Sequence, residues 1–180
     1  DAGGAELVSH WAKSNTQHEY IIHVEGPAKK IFKKNIPNYD SKNLDELLEA
    51  DFLLCGTSWA SSIELEGIKL FKENKKLAIA FIDHWVFYAE RFILKNTEVL
   101  PDKIWVADNH AAHIAKKNFS NKVEIKNIGN PYLDNIIRSI NAGDQIKNDK
   151  VKILYICEPI KEQSKKQHQD EMYIGYHEFT

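Results

Sequence analysis

Hydrophobic positions along this chain change period in a regular way. In AELVSHWAKS, Leu7, Val8, Trp11 and Ala12 fall on one face of a helix, the spacing that lets an amphipathic helix bury a single stripe. The run YIIHV at 20–24 predicts a strand after it. GPAKKIFKK and LDELLEA predict two short helices, FLLCG at 52–56 a strand, and SIELEGIKLFKEN a longer helix. LAIAFI and then KIWVAD at 103–108 are apolar runs of strand length, the pattern of parallel strands covered on both faces. A helix over 110–118 and a short strand, KVEIK, follow. In GNPYLDNIIRSI, Asn130 is a natural N-cap with Pro131 at the first helical position. Leu133, Ile136, Ile137 and Ile140 recur there at i, i+3, i+4 and i+7.

Strands alternating with helices predict an α/β protein with a Rossmann-like, doubly wound parallel sheet and helices on both faces. Ligands of such sheets gather outside the carboxyl ends of the strands. The polar stretch 142–150 has the composition of a linker, so residues 1–141 are read as one domain. The apolar run at 151–156 predicts a second, incomplete α/β domain over 151–180. A Gly-rich turn entering a helix ordinarily follows a strand, so DAGGAE predicts a strand upstream of Asp1. More chain after Thr180 is expected for the same kind of reason.

Composition narrows the classes. The net charge is −2, from 24 basic and 26 acidic residues spread along the chain, so there is no basic stripe for a nucleic acid. Cys55 and Cys157 sit inside apolar runs, as small buried thiols do, and fit a reducing cytoplasm. No apolar stretch approaches the roughly 20 residues that span a bilayer, and no signal-peptide pattern opens the chain. The expectation is a soluble cytoplasmic protein, with loose contact to a membrane face left open.

Four segments at predicted strand ends carry the candidate chemistry. Gly3 and Gly4 in DAGGAE allow close backbone approach, and the helix after them offers free N–H groups to an anion; a plain tight turn is the alternative. In GTSWASSIE, Ser61 and Glu64 fit a capping box, while Thr57, Ser58 and Trp59 face the crevice. In IAFIDHWVFYAERF, Asp83 and His84 come directly after the strand, so one can orient the other as a general base. Trp85 and Tyr88 offer flat faces for a sugar ring. Arg91, one of two arginines, offers a fork suited to phosphate or carboxylate. An aromatic loop over the sheet, with an ordinary Asp–Arg pair, is the bland alternative. In ADNHAAH, the spacing of Asp108, His110 and His113 is compatible with a metal, but a helix cap at Asp108 or Asn109 with His110 near the crevice is the reading adopted.

Taken together, DAGGAE, GTSW, FIDHWVFYAERF, LPDKIWVADNHAAHIA and IGNPYLDNI resemble the amino-terminal half of a bacterial GT-B-type glycosyltransferase of surface polysaccharide synthesis. Lipid-A-disaccharide synthase and the UDP-N-acetylglucosamine 2-epimerases are similar in form. The resemblance covers Asp1 to about Ile140, with ILYICEP similar to the first strand of a second domain. It implies transfer of a sugar from a nucleotide-sugar donor to a glycan or lipid-linked acceptor across a cleft between two domains. It further implies that Gly3 and Gly4 match the first Gly-rich turn, Asp83 and His84 the cleft-facing strand end, and Gly129, Asn130 and Pro131 the turn near the interdomain crossing. Such enzymes need no metal or other cofactor, because helix dipoles and basic side chains neutralise the leaving diphosphate. The first strand and most of a second domain are not in this sequence, which as a part need not be active alone. An epimerase or hydrolase on the same fold, and a non-catalytic glycan- or partner-binding module, are the competing expectations.

Overall fold

The computed structural model of the protein describes residues 1–58 and 61–140, together with Glu162, Lys165, Lys166 and Gln169. The chain divides into two compact units, Asp1–Asn141 and Ala142–Thr180. In the second, Glu162, Lys165 and Lys166 are helical and exposed. The expected linker and the strand at 151–156 lie outside the described residues, as do Trp59 and Cys157.

The first unit opens with α1 (Ala2–Ser14) and α2 (Ala28–Asn35), then a 3-10 turn at Asp45–Glu49. Strand β1 (Phe52–Cys55), α3 (Ile63–Glu73) and β2 (Leu77–Ile82) follow. A 3-10 turn at Glu90–Phe92 leads into the hairpin strands β3 (Ile93–Leu94) and β4 (Thr97–Glu98). Then come β5 (Lys103–Val106), α4 (Asn109–Phe119), β6 (Glu124–Asn127) and α5 (Pro131–Ser139). The main sheet has the order β1-β2-β5-β6, and every pairing in it is parallel. Cys55 stands opposite Ala80, and Ala80 opposite Ile104.

Because side chains alternate across a strand, β2 and β5 feed two faces. Ala78, Ala80, Ile82, Ile104 and Val106 pack with Ile68 and Phe71 of α3 and with Ala111, Ala115 and Phe119 of α4. Full burial of an aliphatic or aromatic side chain of this kind contributes about 1.5–3 kcal/mol, so this layer is the main stabilising core. On the opposite face Trp105 of β5 meets Phe81 at 6.3 Å and Trp11 of α1 at 5.4 Å between ring centroids. α5 packs on α1, where the Asn135 amide donates to the His10 carbonyl at 3.2 Å. Helices therefore cover both faces of a parallel, Rossmann-like sheet.

Two expectations are corrected and one element is added. YIIHV does not enter the sheet: Ile22 forms one isolated parallel bridge with Ser41, while Ile22 and Val24 bury against Ala5 and Phe32. LDELLEA tightens into a 3-10 turn. The hairpin β3–β4 is additional; its two-residue turn puts Lys95 at φ 48° and Asn96 at φ 65°, the left-handed pair of a type I′ turn. The only cue in the sequence was Asn96, since lysine is an unusual residue at the first of these positions. Among the described residues no helix is long and apolar enough to cross a membrane.

Candidate functional site

The amino end of α1 meets the carboxyl ends of β1 and β2. Asp1 caps the helix, its side chain accepting from the Gly3 N–H at 2.9 Å. Gly4 lies against Gly56, just past β1, so closely that a Cβ added to Gly4 would stand 3.0 Å from the Gly56 Cα. A Cβ on Gly3 would overlap the Asp83 carboxylate. Both glycines are thus required by close packing of helix on strand ends, which is one of the uses of a residue without Cβ. They leave the Asp83 carboxylate at the helix entrance.

Arg91 lies beneath this junction with only 3% exposure. One terminal nitrogen donates to the Thr57 hydroxyl at 2.9 Å and to Asp83 Oδ1 at 3.2 Å, while Nε donates to the Val86 carbonyl at 3.3 Å. The rigid guanidinium fork therefore ties the loop after β1 to the loop after β2. This corrects the expectation of Arg91 as an exposed anion receptor. Thr57 and Ser58 are buried as well, and the Thr57 hydroxyl is held by Arg91 rather than turned to the crevice.

The Asp83–His84 dyad is likewise corrected. Asp83 pairs with Arg91, whereas His84 Nδ1 accepts the Trp85 backbone N–H at 3.0 Å. With Nδ1 as acceptor, the neutral imidazole carries its proton on Nε2. His84 is exposed. Tyr88 leaves the candidate sugar platform altogether: it is 2% exposed, stacks on Phe119 and has a hydroxyl without a hydrogen-bond partner among the described residues. Burial, followed by the Asp108 charge, pushes its pKa up to about 12.

Trp85 keeps the expected exposure, at 57%, yet its ring is fixed. Its indole N–H donates to Asp108 Oδ2 at 2.9 Å, and its ring meets His110 edge-on, with 5.6 Å between centroids. The same Asp108 caps α4 by accepting from the Ala111 N–H at 2.7 Å. That backbone hydrogen bond, working against burial and helped by the Trp85 indole, holds the carboxyl below its usual range. Val86 and Phe87 are exposed beside Trp85, and Phe87 adopts φ 59°. The orienting role of Asp108 was not legible in sequence, because 23 residues separate it from Trp85.

At the end of β6, the Gly129 N–H donates to Asn127 Oδ1 at 3.0 Å, and Asn130 caps α5 by accepting from Leu133 N–H at 3.1 Å. The Asn127 amide donates to Asn109 Oδ1 at 2.9 Å, which joins this turn to the start of α4. The expected capping box is reorganised. Ser62 takes the cap position, the Ser61 hydroxyl accepts from Ile63 N–H at 3.2 Å, and Glu64 Oε1 lies 3.7 Å from the Asp1 nitrogen. His113 is exposed on α4, and among the described residues no three His, Cys, Asp or Glu side chains form a group able to hold a metal.

The rim therefore carries His84, Trp85 and His110 outward, while Arg91, Thr57, Asp83 and Tyr88 form its foundation. The sheet and its helices define an α/β protein of Rossmann-like architecture. No family model, curated protein or solved structure matches this chain.

Proposed function

We propose that this crevice is the acceptor side of a GT-B-type glycosyltransferase, which moves a sugar from a nucleotide-sugar donor to a hydroxyl of a glycan or lipid-linked acceptor. The observation that carries the reading is the exposed Trp85 ring, held in one orientation by Asp108 and His110 beside an exposed His84 at the carboxyl end of the sheet. A fixed indole is a platform for the apolar face of a sugar. His84 is the group placed to take the acceptor proton; exposure lets its ring turn and release Nδ1 from the Trp85 N–H. Asp83 supports this chemistry indirectly, by fixing the loop through Arg91. The amino end of α1 and the turn at Gly129 and Asn130 complete the rim towards the donor.

The natural enzyme, incubated with a nucleotide sugar and an acceptor, should form a glycosylated product. His84→Ala should lower turnover per folded molecule by ~10² or more while donor affinity is kept, because the lost interaction belongs to proton transfer. Donor turnover without any acceptor would instead establish an epimerase or hydrolase. One observation favours a second reading, a glycan-binding module without catalysis: Asp83 is engaged by Arg91 and so does not back His84. Under that reading Trp85→Ala abolishes glycan binding, and no condition yields turnover.

A further inference from the structure

The second arginine of the chain, Arg138, stands in the last turn of α5. Pro131, Asp134 and Arg138, at i, i+3 and i+7, turn one face of that helix to a cavity of about 410 Å³. Two indoles line it from the sheet and from α1. Trp105 and Trp11 meet at 5.4 Å, Trp105 is backed by Phe81, and Trp11 also stacks on His18 with ring planes 12° apart. Lys126 is the register partner of Trp105 in β6, so the two side chains project from the same face of the sheet. Asp134 and Arg138 are one helical turn apart, the spacing at which opposite charges ordinarily pair. Yet among the described residues neither side chain makes an ion pair or hydrogen bond, and nor does that of Lys126. Asp134 in the first turn and Arg138 in the last suit the dipole of α5, and a lysine on an edge strand discourages strand addition. Those roles leave unexplained why two cations and a carboxylate surround one hollow walled by fixed indoles.

We infer that this cavity binds a nucleoside 5′-monophosphate. The base lies on the indoles, because every base offers a flat face to an aromatic side chain. Arg138 and Lys126 take the phosphate, the guanidinium as a two-pronged donor and the ammonium as a point charge. Asp134 accepts from ribose hydroxyls, as a carboxylate does in dinucleotide sites. Two cations to one carboxylate favour a ligand of net negative charge, which sets a nucleotide above a zwitterionic aromatic amino acid. The volume lies within the range of small-molecule sites. His84, Trp85 and His110 take no part, so this site stands whether or not the rim transfers a sugar.

Nitrogen-edited NMR spectra of the natural polypeptide report each indole N–H separately. In titrations with UMP, CMP, AMP and GMP, at least one nucleotide should shift the Trp11 and Trp105 signals and leave Trp85 in place. Its nucleoside should bind at least about 10-fold more weakly, and ribose 5-phosphate, which has no base, should move neither indole. Arg138 and Lys126 are exposed, so Arg138→Ala and Lys126→Ala should each keep the fold and weaken binding about 10-fold. Failure of all the nucleotides to move Trp11 and Trp105 would overturn the proposal. Shifts confined to Trp85 would overturn it too, by placing the nucleotide at the rim, as would full affinity in either variant.

Discussion

Arg91 shows how a residue type suited to ligands can be spent on the scaffold. Its guanidinium is almost wholly inside and satisfies Thr57, Asp83 and Val86 together, so its loss leaves a carboxylate of 11% side-chain exposure without a partner. Removing one member of such a pair costs about 3–5 kcal/mol. Arg91→Ala should therefore lower the urea midpoint strongly, and the double variant with Asp83→Asn should recover part of the loss. A change confined to ligand affinity would contradict this. Tyr88 makes the opposite case. Its buried hydroxyl lacks a partner among the described residues, and an unsatisfied buried polar group costs about 1–3 kcal/mol. Tyr88→Phe is expected to leave thermal stability unchanged or to raise it, and a clear fall would reveal a hidden partner for the hydroxyl. Gly4 and Gly56 leave no room for a methyl group between two backbones. Alanine at either should destabilise by about 1–3 kcal/mol in denaturant titrations, through displacement of α1 rather than loss of any side-chain contact.

At the scale of elements, α4 couples stability to site geometry through its cap. Asp108 holds both the Ala111 N–H and the Trp85 indole. Asp108→Ala should cost about 1 kcal/mol as a lost N-cap and should also loosen the Trp85 ring, seen as broadened indole signals in NMR spectra. Because the folded carboxyl titrates below the ordinary carboxylate range, its ionised form is the one favoured by folding. The contribution is complete well above pH 3.8 and disappears as the pH falls through the lower folded value. A stability profile below pH 4 should accordingly be shallower for Asp108→Asn than for the native protein. The hairpin β3–β4 was invisible to periodicity because each strand has only two residues. Its neighbours β2 and β5 were plain, since continuous apolar runs of this length demand burial on both faces.

At the scale of the whole molecule, the two hydrophobic clusters found among the described residues lie in the unit Asp1–Asn141. Natural polypeptide cut after Asn141 should still unfold in one cooperative transition followed by circular dichroism; a gradual loss of signal would show that its core is completed elsewhere. Local sequence by itself determined the α/β class, five helices in their order, the four strands of the parallel sheet and the cap at Asn130, and narrowed the cap of α4 to Asp108 or Asn109. Those features follow from period, apolar run length and side chains bonding to backbone a few residues away. Tertiary structure alone decided which candidates face solvent. Asp83 and His84 are chain neighbours, yet Arg91 draws the first inward while the second stays outside; Trp85 finds its support 23 residues away at Asp108. Tyr88 and Trp85 are both aromatic and three positions apart, and one fills the core while the other stands on the rim. Strand alternation stops at the end of β2, so the loop beyond it has no period to fix which way a side chain points. Burial and hydrogen bonds to residues distant in sequence set those directions.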